Sequence, residues 1–304
     1  MKNTFIIAAA ALLLASCGNN YQKAQSGLLY KVIKEGNGPL VKRGEFIKVH
    51  YSQKVKDSLI VSSFDNGLAA YAKVDSVGPI YNVLEILPML HKGDSVMIVE
   101  LGDSLEKRGM LPPFMKKTDK RTWVMKVQDV FKDMEAMQKD QQTEMNKYKE
   151  KQAAVFEKYM AGKKDKLQKT SGGVYVDVKV PGNGQAADSG KILSVKYKGM
   201  YMPSEKVFET NMDDPNKQPI QFPLATGSII PGWIQGLQLF HAGGKGTLYI
   251  PYELAYNEQA GPNGLPFQNL IFDVEVLDVK DAPPASAMPP GIPPQGLDTT
   301  RRNR

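Results

Sequence analysis

The chain has 304 residues, 42% apolar and 23% charged, which is typical of a globular protein with room for two domains. Its net charge is +7, but Lys and Arg are scattered and form no basic stripe interleaved with aromatic residues, so a nucleic-acid partner is not predicted. With three histidines and one cysteine, the sequence argues against a disulfide framework and against a metal site built from His and Cys.

The N-terminus has the pattern of an export signal. Lys2 precedes an apolar stretch, 5–15, that is too short to span a membrane and is followed by Ser-Cys, so that the segment ends Leu-Ala-Ser-Cys. This ending resembles the bacterial lipobox, which implies that more than one acyl chain is attached to Cys17. The alternative is a buried structural cysteine behind an ordinary signal peptide.

The lipobox interpretation sets the first two boundaries and the location of the protein. We predict a lipoprotein signal peptide at 1–16 and a polar tether at 17–25. The protein is then expected to be exported and lipid-anchored to a bacterial membrane, facing the periplasm or the cell surface.

Two segments of the chain repeat each other. Residues 26–38 and 171–184 share a Ser-Gly start, a tyrosine and a closing Gly-Asn-Gly. Each continues into an alternating, strand-like run that ends at Tyr51 or at Tyr197, an offset of 146 residues. A period of this length indicates duplicated domains rather than a solenoid.

A segment of different character, 132–169, separates the two predicted domains, 26–131 and 170–280. It lacks proline and carries one stripe of side chains at helical spacing, which predicts a long helix. The stripe consists of Met134, Met137, Gln141, Met145, Tyr148, Gln152, Val155 and Tyr159. It is suited to the seam of a homodimer or to packing on a neighbouring domain. The Pro-rich end of the chain, 281–304, predicts a disordered tail.

The second copy contains aromatic and glycine motifs in a fixed order. They are Phe208-Glu209, Phe222, the run from Gly227 to Trp233, Gly236-Leu237, Gly243-Gly244, Ile250-Pro251, Ala255-Tyr256, Leu265-Pro266 and the run from Leu270 to Glu275. This series resembles the pattern of the FKBP family over residues 169–280. Any one motif occurs by chance, whereas the complete series at family-like intervals identifies the resemblance.

The resemblance implies a fold and an activity. Each copy is expected to be an α+β domain in which a twisted antiparallel sheet of about five strands surrounds a short helix, starting in the second copy near Pro231. The second copy is expected to be a peptidyl-prolyl cis/trans isomerase that acts on proline-containing exported proteins without a metal or another cofactor. The alternative is a non-catalytic chaperone or scaffold that uses FKBP-like domains for client binding, and an intact set of aromatic residues favours turnover.

The resemblance also implies the site. The apolar pocket would consist of Tyr197, Phe208, Phe222, Ile229, Ile230, Trp233, Leu265 and Phe272. Tyr256 would donate its hydroxyl to a substrate carbonyl, the Ile230 backbone would contact the bound chain, and the Glu209 carboxylate would orient the twisted carbonyl or a neighbouring side chain. Three positions depart from the family motifs: Glu209 replaces Asp, Asn257 replaces Gly, and Phe267 replaces Pro.

The first copy keeps the frame but has lost these motifs. Val83 takes the place of Trp233, and Met125 lies near the place of Phe272. No counterpart of Tyr256 is present in the sequence. We therefore predict a degenerate FKBP-like domain that serves binding, spacing or dimerisation.

Overall fold

The computed structural model describes residues 21–75, 80–214 and 216–282. The predicted signal peptide, Cys17 and the predicted tail from residue 283 onward lie outside the described residues. Within the described ranges no helix is both long enough and apolar enough to cross a membrane.

The chain divides into two units, Met1–Glu144 and Met145–Arg304, and each contains its own antiparallel sheet. The fold is therefore α+β, as the sequence predicts. The boundary between the units lies inside the helix that was predicted as a separate linker. Its first turns contact the first unit, for example through the Asp140 carboxylate, which is 2.9 Å from the Lys48 amine.

The first unit is a sheet with short helices. Its strands are β1 (Gln22–Lys23), β2 (Leu29–Lys34), β3 (Phe46–Val55), β4 (Ser58–Ser62), β5 (Ala70–Lys73), β6 (Ser95–Leu101) and β7 (Lys120–Phe131). The helices are α1 (Ser63–Asn66), the 3₁₀ helix Val83–Met89 and α2 (Gly102–Glu106). The strands pair in the order β1-β2-β6-β7-β3-β4, and β5 also pairs with β3. Val96 and Ile98, two residues apart on β6, are fully buried, because alternate residues of a strand face the same side.

The second unit has the same order of strands. Its strands are β8 (Gln168–Lys169), β9 (Tyr175–Val180), β10 (Ile192–Tyr201), β11 (Lys206–Thr210), β12 (Ile220–Pro223), β13 (Lys245–Ile250) and β14 (Leu270–Lys280). They pair in the order β8-β9-β13-β14-β10-β11, with β12 on β10. The sheet has seven strands rather than about five, because β8 contains only two residues and β12 is a short edge strand.

One short helix, α4 (Pro231–Leu237), packs against this sheet. Pro231 begins it, and proline is well tolerated there because the first N–H of a helix has no partner within the helix. A Cβ atom on Gly236 would lie 2.8 Å from the Leu248 side chain, and one on Gly232 would lie 2.3 Å from Ile250. The two glycines therefore let α4 approach β13 closely enough to close the core.

The long helix is α3 (Met134–Met160), shorter at its C-terminal end than the predicted segment 132–169. It is followed by Gly162 with a φ of +75°, by the 3₁₀ helix Lys164–Lys166 and by β8. Its buried side chains are Tyr148, Gln152, Phe156 and Met160. The predicted stripe includes the first two of these and misses the last two.

The later turns of α3 cover the second unit. Phe156 and Met160 form an apolar cluster with Tyr175, Met202 and Ile271 of that unit. Val155 and Tyr159 of the predicted stripe pack against this cluster, so the later part of the stripe contacts the second unit. At its start Met134 is 54% exposed, and a homodimer through 132–169 stays a prediction.

Candidate active site

An apolar cavity lies in the second unit beside the first turn of α4. It encloses about 280 Å³ of space, counting its open mouth. Strands β10, β11, β12 and β14, the start of α4 and the loop after β13 supply its walls. The lining residues are Tyr197, Phe208, Glu209, Ile220, Ile229, Ile230, Trp233, Tyr256 and Phe272.

The structure brings together eight of the ten residues that the sequence placed in this site. Phe222 and Leu265 are the exceptions and require a correction. Phe222 is buried and packs against Trp233 with ring centroids 5.6 Å apart, so it supports a wall of the cavity without lining it. Leu265 is half-buried in a turn, where its carbonyl accepts a hydrogen bond from the Gly261 N–H, and it also does not line the cavity.

The aromatic rings of the cavity hold one another edge to face. Trp233 lies 5.2 Å from Tyr197 and 5.1 Å from Phe272, with interplanar angles of 82° and 88°. Phe208 meets Phe272 at 5.8 Å and 89°. Aromatic pairs prefer this geometry because the positive edge of one ring faces the negative face of the next. Rings that are held in this way form a preformed apolar surface.

Trp233 carries an unusual feature. The residue is only 2% exposed, and its indole N–H has no hydrogen-bond partner among the described residues. Most buried donors in proteins are paired. The floor of the cavity is therefore poor in polar partners.

Gly199 lies behind the rings of the site, although none of the sequence motifs includes it. A Cβ atom at this position would lie 2.5 Å from the Phe208 ring and 2.9 Å from the Phe272 ring. The absent side chain is what allows the two rings to meet over β10. A glycine inside a strand is a known sign of close approach by a neighbouring group, so this signal was present in the sequence.

Ile220 was also missed. It lies on β12 two residues before Phe222, and alternate residues of a strand face the same side. The motif that identified Phe222 could therefore have identified Ile220 through the period of two.

Two tyrosine hydroxyls bring polarity to the cavity. Burial raises the pKa of Tyr197 well above its ordinary value, and the Glu209 charge and a hydrogen bond to that side chain act in the same direction. Burial and then the Glu209 charge raise the pKa of Tyr256. Both phenols therefore keep their protons at neutral pH and remain hydrogen-bond donors.

The entrance to α4 offers one backbone donor. The Ile230 carbonyl accepts hydrogen bonds from Trp233 N, at 3.0 Å, and from Ile234 N, at 3.4 Å. Its N–H, by contrast, has no acceptor among the described residues. A ligand carbonyl at this edge of the cavity would satisfy it.

Two of the three departures from the family motifs, Asn257 and Phe267, lie in loops, and the structure accommodates both. Asn257 has a φ of +50°, a conformation that asparagine adopts more readily than most residues. Phe267 is 1% exposed and packs against Tyr148 of α3 and Tyr252. This ring anchors the loop to the helix and does not line the cavity.

The first unit has the same order of strands as the second, so the residues at corresponding strand positions can be compared. Trp123 pairs with Gln53 of β3 and Ile98 of β6, as Phe272 pairs with Gly199 and Leu248 in the second unit. The expectation that Met125 takes the place of Phe272 is therefore wrong, and Trp123 takes it. The first copy has kept an aromatic wall.

Tyr51 corresponds to Tyr197, but the other two polar groups of the second site, the Glu209 carboxylate and the Tyr256 hydroxyl, have no counterpart among the described residues of the first pocket. Val61 pairs with Gln53 in the way that Glu209 pairs with Gly199, so an apolar residue stands in place of the carboxylate. No described residue between 99 and 122 lines the pocket of the first unit, so a partner like Tyr256 is also missing.

The second unit is thus an α+β domain with a seven-stranded antiparallel sheet, a short helix packed on it and a cavity lined mainly by apolar and aromatic side chains. Residues 183–277 match the family described as FKBP-type peptidyl-prolyl cis-trans isomerase. This part of the chain belongs to that family.

Curated relatives support the assignment of this part of the chain. The FKBP-type peptidyl-prolyl cis-trans isomerase FkpA of Escherichia coli is 40% identical over 127 residues, which cover 41% of this chain and 45% of the relative. A probable FkpA of Neisseria meningitidis is 36% identical over 132 residues, covering 43% and 46%. The chain therefore spans less than half the length of these relatives.

The chain is also similar in sequence to parts of two solved structures. The crystal structure of FkpA from Escherichia coli is 32% identical, covers 49% of this chain and 70% of its own, and has a TM-score of 0.39. A peptidyl-prolyl cis-trans isomerase from Pseudomonas syringae is 28% identical and covers 43% of this chain and 92% of its own, with a TM-score of 0.38.

Proposed function

We propose that the second unit catalyses cis/trans isomerisation of X-Pro bonds in exported client proteins. The observation that carries this proposal is the cavity itself, whose edge-to-face rings present an apolar surface to a pyrrolidine ring beside two protonated tyrosine hydroxyls. The family match at 183–277 supports the same reaction.

The chemistry needs no proton transfer and no nucleophile. Resonance opposes rotation about a peptide bond with a barrier of roughly 18–20 kcal/mol, and the twisted transition state has lost that resonance. It therefore carries less charge separation than the planar amide, and an apolar cavity favours it relative to water. The rings of Trp233 and Phe272 would hold the proline while the bond turns.

Polar groups at the rim would position the rest of the chain. The Ile230 N–H, which has no acceptor among the described residues, is suited to donate a hydrogen bond to a carbonyl of the substrate, and the Tyr256 hydroxyl is suited to donate to a second carbonyl. Glu209 is exposed at the rim and hydrogen-bonded to Tyr197, so its longer side chain can act by holding that ring.

The test is a proline isomerisation assay with the full chain and a short Leu-Pro peptide. The expected result is a rate that rises linearly with protein concentration above the uncatalysed one. The Trp233→Ala/Phe272→Ala variant should give only the uncatalysed rate while a thermal melt shows that it remains folded. An uncatalysed rate with the unmodified chain, or full activity in the folded double variant, contradicts the proposal.

Export and anchoring form the second part of the proposal. Cys17 at the end of the Leu-Ala-Ser-Cys segment would carry the lipid, and the two units would act on the outer side of the membrane. Client proteins would then be proline-containing chains that arrive unfolded at that side.

A further inference from the structure

The first unit contains an apolar pocket of its own. It encloses about 620 Å³ of space including its mouth, more than twice the 280 Å³ of the candidate active site. Strands β3, β5, β6 and β7 and the 3₁₀ helix supply its lining, and no charged residue takes part.

The pocket occupies the same place in its sheet as the candidate active site. Tyr51 is the repeat partner of Tyr197, and Trp123 has the strand pairing of Phe272. Val83, at the start of the 3₁₀ helix, lines the wall where the second unit has Trp233. A smaller side chain at that position agrees with the larger volume.

The aromatic wall of this pocket is rigidly held. The Trp123 indole N–H donates to the Glu100 carboxylate at 2.6 Å, and Arg121 donates to the same oxygen at 2.5 Å. Glu100 is 1% exposed, so this buried ion pair fixes the ring from behind. Tyr51 packs against the other side with ring centroids 5.7 Å apart. A preformed pocket loses little entropy when it is occupied.

The surface of the first unit is also more apolar than that of the second. Among the described residues, eleven strongly exposed large apolar side chains lie in the first unit and three in the second. Leu84 is one of them and is itself part of the pocket lining. Leu59 and Ile60 lie on β4, which pairs with the pocket strand β3. Apolar residues scattered singly over a surface are normal, so Leu84 is the exposed side chain that bears on the pocket, because it makes part of the lining accessible to another chain.

We propose that this pocket binds a single apolar side chain of an unfolded client polypeptide, without turnover and without a requirement for proline. The occupant is inferred from the lining, which offers apolar contact on all sides and lacks both the carboxylate and the second tyrosine of the other site. The first unit would thereby retain a client near the membrane while the second unit acts. The binding step itself does not depend on the activity proposed for the second unit.

The chain contains two tryptophans, one in each pocket, which permits a direct test. The Trp233→Phe variant of the full chain leaves Trp123 as the single tryptophan reporter. The probe is a short Gly/Ser peptide with one central Phe and no proline, and the control peptide has Ser in place of that Phe. The expected result is a saturable change in Trp123 emission, half-complete at roughly 0.1–1 mM, because one side chain supplies most of the binding. The control peptide should produce no such change.

A second set of experiments uses variants in which a larger side chain fills the pocket. Ala72→Leu and Ala70→Leu, each in the Trp233→Phe background, add bulk inside the lining and should weaken binding about tenfold or more. Lys73→Leu adds the same side chain next to Ala72 on an exposed residue and should leave binding unchanged. A thermal melt establishes that each variant is folded.

The outcome that overturns the proposal is equally direct. No saturable emission change, or unchanged binding by both folded Leu variants, excludes the pocket as a client site. Since Trp123 emission reports occupancy and not catalysis, this failure is distinct from a failure of the isomerase assay.

Discussion

Tyr256 is the residue whose proposed role can be separated most cleanly from packing. Its ring lines the cavity, and its raised pKa keeps the hydroxyl protonated at neutral pH. Tyr256→Phe keeps the ring and removes one neutral hydrogen bond, worth about 0.5–1.5 kcal/mol. We expect kcat/KM for a Leu-Pro peptide to fall by a factor of several to about ten, with an unchanged melting temperature. Unchanged turnover would mean that this hydroxyl does not contact the substrate in the transition state.

The buried phenols also predict how stability depends on pH. Burial raises the pKa of Tyr197 above its ordinary value of 10.0 and that of Tyr201 to about 12. On alkaline titration the unfolded chain therefore loses these protons before the folded one does. The free energy of unfolding should be insensitive to these groups below about pH 10 and should decrease above it.

Thermal melts from pH 7 to pH 11 check this expectation. Tyr201→Phe removes one of the phenols and should make the alkaline decrease smaller. A rise in stability above pH 10 would contradict the assignment.

Because no proton is transferred in the proposed reaction, the isomerisation rate should stay constant from pH 6 to pH 8.

At the scale of elements, the later turns of α3 hold the loops of the second unit through buried hydrogen bonds. Asn269, which is fully buried, donates to the Gln152 carbonyl at 2.7 Å and accepts from the Tyr252 N–H at 2.9 Å. It therefore joins the helix to the loop that follows β13. Gln268 donates in addition to the Tyr148 hydroxyl at 2.9 Å. These bonds set the loop that carries Tyr256.

Removing one ring from α3 measures this contribution. Phe156 is 5% exposed and packs against Tyr175 with centroids 6.1 Å apart. Phe156→Ala should lower the free energy of unfolding of the second unit by about 3–5 kcal/mol, as for other buried rings. Denaturant unfolding gives the value, and Lys158→Ala at an exposed position of the same helix is the control. Equal stability of the two variants would mean that the helix does not contribute to this core.

At the scale of the whole molecule, the proposed lipid anchor can be tested without changing any residue that the structure describes. Cys17 lies outside the described residues, and the prediction depends on the Leu-Ala-Ser-Cys segment alone. Cys17→Ala should move the protein from the membrane fraction into the soluble fraction, because a lipid-anchored protein loses its attachment with the acyl chains. Fractionation followed by immunoblotting provides the measurement. A variant that sediments with the membranes as before would show that the anchor is not at this cysteine.

Local patterns in the sequence were sufficient for the family and for most of the site. The motifs around Phe208, Trp233, Tyr256 and Phe272 are short, and the spacing inside each one is set by a single strand or turn. The repeat was equally visible, because Tyr51 and Tyr197 follow similar local segments. Motifs and repeats of this kind can be recognised without knowing which distant segments of the chain pack together.

The tertiary structure alone decided which residues share a surface. Trp123, not Met125, has the strand position of Phe272, because the loops between the strands differ in length in the two copies and counting along the chain loses the register. Phe222 was predicted to line the cavity, but its ring lies behind Trp233. The alternation of a strand predicts which face a side chain is on, and it does not predict how far that side chain is from the cavity. Register between strands and depth within a core depend on long-range pairing, and a single sequence read locally does not contain them.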